Sequence, residues 1–171
     1  MGLFTSKKKK EAKAREREMA EYAQKKAQED RVLGEFGRLY VKAGELVSHD
    51  RILLCGKAMF TNMTFKDYVK AGTQDVEMLL SLEQDAILAK CADFHPSLLI
   101  LTSEIPDLLA LAGSIVQKYP DTIIIASSKD INALPYTRAE LEQVHVFSVL
   151  PVPCSIEKFI DGMSAMRLQL Q

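Results

Sequence analysis

From Arg51 onward, short apolar runs alternate with stretches whose apolar residues recur every three or four positions. The run at the middle of this pattern is Leu98 to Leu101, four consecutive apolar residues between Pro96 and the polar cluster Thr102, Ser103 and Glu104. An uninterrupted run of that length predicts a strand covered on both faces, as in a parallel sheet. Pro96 bounds it because proline cannot donate into a ladder, and Pro106 is expected in the first turn of the next helix. Four further strands are predicted at Arg51 to Gly56, Val76 to Leu82, Thr122 to Ala126 and Val144 to Leu150, with helices between them and a last helix capped by Ser155. Ser127 to Asn132 reads as a polar loop. Five strands alternating with helices over this length predict one α/β domain, a three-layer, doubly wound, five-stranded parallel sheet joined by right-handed crossovers. Functional atoms then belong at the carboxyl ends of the strands.

Upstream the pattern differs. Val32, Phe36, Leu39, Tyr40, Ala43, Leu46 and Val47 follow helical spacing and predict an amphipathic helix over 32–50 that packs on the following domain or pairs with a second copy. Phe36, Leu39, Tyr40 and Leu46 are its candidate dimer or docking residues. Before it, residues 1–31 form a charged helical or disordered arm, rich in Ala, Glu, Lys, Arg and Gln from Glu11 to Asp30 and free of Gly and Pro there. Residues at heptad positions such as Glu16, Lys26 and Asp30 interrupt any coiled coil. The first six residues match the Met-Gly-x-x-x-Ser pattern for acylation, and Leu3 and Phe4 beside Lys7, Lys8, Lys9 and Lys10 are candidate contacts with anionic lipid or a partner.

Charge sharpens that division. Up to Arg31 ten Lys and Arg face six Asp and Glu, a balance of +4 within a chain whose total is −1, so the remainder carries −5. Acids interleave with the bases and no aromatic platform accompanies them, which argues against nucleic acid. Hydrophobic residues at 47% and charged residues at 26% describe a globular chain, with no apolar run long enough to span a bilayer. Cys55, Cys91 and Cys154 are odd in number and lack Cys-x-x-Cys spacing, which predicts a reducing, cytoplasmic setting. No glycine-rich phosphate loop is present, and His95 and His145 have no companions at metal-ligand spacing. The residues name no cofactor, no metal and no enzyme.

From Arg51 to Leu170 the chain resembles the receiver domain of bacterial response regulators. The resemblance rests on an amphipathic helix around Leu88 and Cys91, then a proline, four apolar residues, one polar position and a proline four places beyond it. It rests too on Leu150-Pro151, where the family has lysine and then a cis proline. It implies the flavodoxin-like strand order 2-1-3-4-5. Receiver chemistry uses a carboxylate-held Mg²⁺, an aspartate nucleophile, and a hydroxyl and a lysine on the phosphoryl oxygens. Here the resemblance puts Gly56 and Lys57 at the acidic pair, Thr102 at the nucleophile, Ala126 or Ser127 at the hydroxyl and Leu150 at the lysine. Threonine cannot form an acyl phosphate, and Lys57 is expected to pair with Glu104 in the space a metal would take.

The fold is therefore expected to be kept and phosphoryl transfer lost, a pseudo-receiver that binds a protein partner in a bacterial signalling or assembly complex. By resemblance the interaction surface is Tyr136, Arg138, Val149, Val152 and the exposed side of the last helix from Ile156 to Met166. Two alternatives stay open: an adaptor at the inner face of a membrane through the apolar and lysine segment, and a small-ligand sensor in the emptied acidic pocket.

Overall fold

The computed structural model describes the backbone of residues 2–56 and 59–170, and their side chains except at 2–5, 32–33 and 59–62. The chain divides into two compact units, Met1–Arg38 and Leu39–Gln171. One continuous helix, α1, runs Gly2–Glu45. The second unit then alternates β1 (Ile52–Cys55), α2 (Met59–Val69), β2 (Val76–Leu79), α3 (Gln84–Phe94), β3 (Leu98–Thr102), α4 (Leu108–Lys118), β4 (Ile123–Ser128), α5 (Arg138–Gln143), β5 (Val146–Pro151) and α6 (Ile156–Gln169). The five strands form one sheet, all neighbours parallel, in the order β2-β1-β3-β4-β5. This is the doubly wound sheet that the hydrophobic pattern predicts.

β1 and β3 are buried at every residue, because alternate side chains enter opposite layers. Ile52, Leu54, Leu98 and Ile100 pack with Phe65 and Val69 of α2 and Phe159 and Met163 of α6. Leu53, Cys55, Leu99 and Leu101 meet Ile87 and Cys91 of α3 and Leu111 and Ile115 of α4. Each fully buried aliphatic side chain contributes about 1.5–3 kcal/mol, so the central strands supply much of the stability.

Several boundaries differ from expectation: α1 ends at Glu45 rather than at 50, β5 starts at Val146 rather than Val144, and three more lie at Pro106, β4 and β2. Pro106 lies before α4 rather than in its first turn. Asp107, at φ 54, precedes Leu108, and Gln84 Nε2 donates to the Pro106 carbonyl at 3.0 Å. β4 continues through Ser127 and Ser128, which the sequence places in a loop. They stay in the strand because they face Leu150 and Pro151 across the ladder, and the Ser103 N–H donates to the Ser127 carbonyl at 2.7 Å. β2 stops at Leu79, three residues early, leaving Leu80 exposed.

Leu39, Tyr40 and Leu46 pack against the core that holds Ala43 and Val47. They serve the interior of the body, whereas Phe36 is 49% exposed in the first unit. The turn after α1 is tied down by polar contacts. Buried Asp50 accepts from Ser97 Oγ at 2.7 Å and pairs with the Arg167 guanidinium, whose Nε donates to the Leu46 carbonyl at 3.2 Å. Gly44 and Gly72 touch backbone to backbone. A Cβ on Gly72 would stand 1.8 Å from the Gly44 carbonyl oxygen, so neither position has room for a side chain.

Gly72→Ala is expected to destabilise the body by at least about 2 kcal/mol in urea unfolding. Gly113→Ala, inside α4 with its nearest non-local neighbour at 3.6 Å, is expected to be neutral or stabilising by up to about 1 kcal/mol.

Candidate degenerate receiver site

Four strand ends meet where the sheet order reverses. β1 delivers Gly56, β3 delivers Thr102, β4 delivers Ser127 and Ser128, and β5 leads into Val152. Thr102 and Ser127 are register partners, 3% and 1% exposed. A cavity of about 100 Å³ lies over them, with Glu104, Ser128, Lys129 and Val152 among its walls. Among the described residues neither the Thr102 nor the Ser127 hydroxyl has a hydrogen-bond partner. A buried hydroxyl left in that condition costs about 1–3 kcal/mol.

Gly56 is buried at φ +138, a conformation that favours glycine. A Cβ there would lie 2.3 Å from Thr102 Oγ1 and 2.4 Å from its Cγ2. The threonine side chain therefore occupies the space that a residue with any side chain at 56 would need. The choice of residue at one strand end dictates the choice at its neighbour.

A divalent cation of the Mg²⁺ type demands several hard oxygens, carboxylates foremost. Gly56 brings none, Thr102 and Ser127 bring neutral hydroxyls, and Glu104 is an exposed carboxylate. Among the described residues no group of three or more His, Cys, Asp and Glu could hold a metal ion. The donor set does not fit the metal that the receiver resemblance implies. Lys57, and with it the expected pairing to Glu104, lies outside the described residues.

Three sequence expectations are corrected. Leu150 does not line the cavity; it is buried under α6, so close that a Cβ on Gly162 would come within 2.7 Å of its Cδ2. Val152 takes the lining position, and the cis peptide joins Val152 to Pro153 rather than Leu150 to Pro151. The segment holds two residue–proline pairs, and β5 keeps its ladder as far as Pro151 opposite Ser128, one residue beyond the expected end, so the cis bond falls at the second pair. Ile156 is likewise no surface residue: it is 5% exposed and packs into the core at the start of α6.

Tyr136, Arg138 and Val149 do come together. They line an open groove of about 510 Å³ beside the outer edge of β5, with Ile131, Leu134 and Phe147. Thr137 caps α5 through a reciprocal pair with Glu140, and Arg138 donates to Glu142 Oε1 at 3.0 Å, which fixes the helical wall. Ile131 and Leu134 carried no sequence signal, being isolated apolar residues in a polar loop; Val152 had one, the proline after it. Lys7, Lys8, Lys9 and Lys10 are exposed along α1, while the side chains of Leu3 and Phe4 lie outside those described.

The three thiols supply no nucleophile. All are buried. Burial raises Cys55 far above the ordinary thiol value, with Cys91 nearby adding to the effect, and pushes Cys91 and Cys154 up to about 11.

No protein-family model matches the chain, and no curated protein does. Solved structures match it well. A chemotaxis protein of Vibrio cholerae, CheY4, aligns at TM-score 0.55 and 14% identity, over 67% of this chain and 96% of its own. The body of this chain has the receiver fold. NtrX from Brucella abortus aligns at TM-score 0.54 and 17% identity over 71% of this chain, which spans only 28% of NtrX. A putative pilus assembly-related protein of Burkholderia pseudomallei aligns at TM-score 0.57 and 16% identity, over 72% of this chain and 92% of its own. At these identities the likeness is one of fold.

Two measurements check the receiver-like body. Thr102→Val, which removes an unpartnered hydroxyl at constant shape, is expected to leave stability unchanged or raise it by up to about 1 kcal/mol, while Gly56→Ala costs at least about 2 kcal/mol. The thiols ionise in the unfolded chain near their ordinary value of 9.0 and, for Cys91 and Cys154, only near 11 in the fold. Because the unfolded state then binds fewer protons, stability is expected to fall as pH rises from about 9 to about 11. Replacing Cys91 and Cys154 by Ala should lessen that slope in a denaturation series, leaving the part due to Cys55.

Proposed function

We propose that this chain is a non-catalytic interaction module, a receiver fold that no longer accepts a phosphoryl group and acts by binding a protein partner in a bacterial signalling or assembly complex. The observation that carries the reading is the packing of Thr102 against Gly56. Acyl phosphate formation needs a carboxylate at the end of β3 and a cation held beside it, and the threonine methyl and hydroxyl fill that space against a bare Cα. The likeness to receiver domains supports a signalling setting, and the fold of the pilus assembly-related protein extends the class to assembly factors. The partner surface on this reading is the groove of Tyr136, Arg138 and Val149 beside β5; Val152, expected with them, lines the cavity over Thr102 instead.

The unpartnered hydroxyls of Thr102 and Ser127 favour a second reading of the cavity, as a seat for a small polar ligand that would satisfy them. Thermal stabilisation by a panel of small metabolites tests it; a flat response together with a more stable Thr102→Val variant removes it.

Incubation with acetyl phosphate and Mg²⁺ is expected to give no phosphoprotein by intact mass. A stoichiometric adduct overturns the proposal. For partners recovered with the full chain, Tyr136→Ala and the exposed Arg138→Glu are each expected to weaken binding about tenfold or more; Tyr136 also packs on the core, so its unfolding midpoint is measured beside its binding, whereas Arg138→Glu is expected to leave the midpoint nearly unchanged. Undiminished binding by both variants places the partner surface elsewhere.

A further inference from the structure

Residues 6–31 of α1 are exposed without exception. Between Lys7 and Arg17 the helix carries seven cations and two acids. At 100° per residue, Lys10, Lys13 and Arg17 fall within one narrow stripe, with Lys7 and Lys9 at its two margins. Glu11 and Glu18 lie just beyond Lys7 and Glu16 just beyond Lys9, and Glu21 closes the stripe one turn beyond Arg17. Between Lys10 and Arg17 the stripe is about 10 Å long and basic. Lys10, Lys13 and Arg17 line an open hollow on one side of Ala14.

We propose that this basic stripe of α1 is a docking site for an anionic lipid surface. The charge complementarity is direct: a row of Lys and Arg at one helical face meets a plane of headgroup phosphates, and the hollow at Ala14 admits one headgroup between three donors. Nucleic acid fits less well, since residues 5–21 contain no aromatic side chain on which a base could stack. The inference is independent of the state of the site at Thr102, because it concerns only the first unit.

Sedimentation of the full chain with phosphatidylcholine vesicles, with and without phosphatidylserine, tests it. Binding is expected only with phosphatidylserine and is expected to fall as salt rises. Two variants with the same change in net charge separate the face from the total. Lys10→Glu with Lys13→Glu reverses charge on the stripe and is expected to reduce partitioning at least about tenfold, whereas Lys8→Glu with Arg15→Glu lies off it and keeps most of the binding. Circular dichroism verifies that both stay helical. Equal loss in the two variants, equal binding to neutral vesicles, no binding at low salt, or tighter binding to duplex DNA or RNA than to the vesicles overturns the proposal.

Discussion

A parallel sheet has to be covered on both faces, and that requirement shapes nearly everything else in the body. Each central strand sends alternate residues into two separate cores, so four consecutive apolar side chains at Leu98 to Leu101 are all used, two above and two below. The covering helices must then come from crossovers long enough to return the chain to the same edge, which sets the alternation of elements and their lengths. It also leaves the strand ends as the place where polar side chains collect, since the apolar requirement stops at the rim of the two cores. Thr102, Ser127 and Ser128 sit at that rim.

This explains what could be read from the residues alone. The strands whose both faces are buried announce themselves as apolar runs, and the amphipathic helices as three-and-four periodicity, so the element order and the sheet class were legible. Strand ends were not. Ser127 and Ser128 look like loop residues by composition, yet their backbones are held on both sides, by β5 and by Ser103, and tertiary pairing overrides the local polar signal. The shift from Leu150 to Val152 has the same origin: two prolines gave two consistent alignments, and only the ladder decides between them. Ile156 illustrates a further limit, because a cap followed by an amphipathic helix does not reveal which of its first residues turns inward.

The site itself was legible as a set of missing groups and illegible as geometry. The receiver resemblance put a glycine and a threonine where that chemistry uses charged oxygens; it could not show that the two touch. Nor could it show that the two hydroxyls lie side by side without partners, since that depends on the β3 to β4 register. The groove beside β5 was half visible, through Tyr136, Arg138 and Val149, and its other wall comes from loop residues with no periodicity to betray them.

The contact between Gly56 and Thr102 ties two positions far apart in the chain into one. With the threonine in place, any side chain at 56 is driven into its neighbour, and an aspartate at 102 would bury a charge at the strand end. The residue allowed at 56 is thus set from 46 positions away, and the pair is open to substitution together while 56 is closed to it alone.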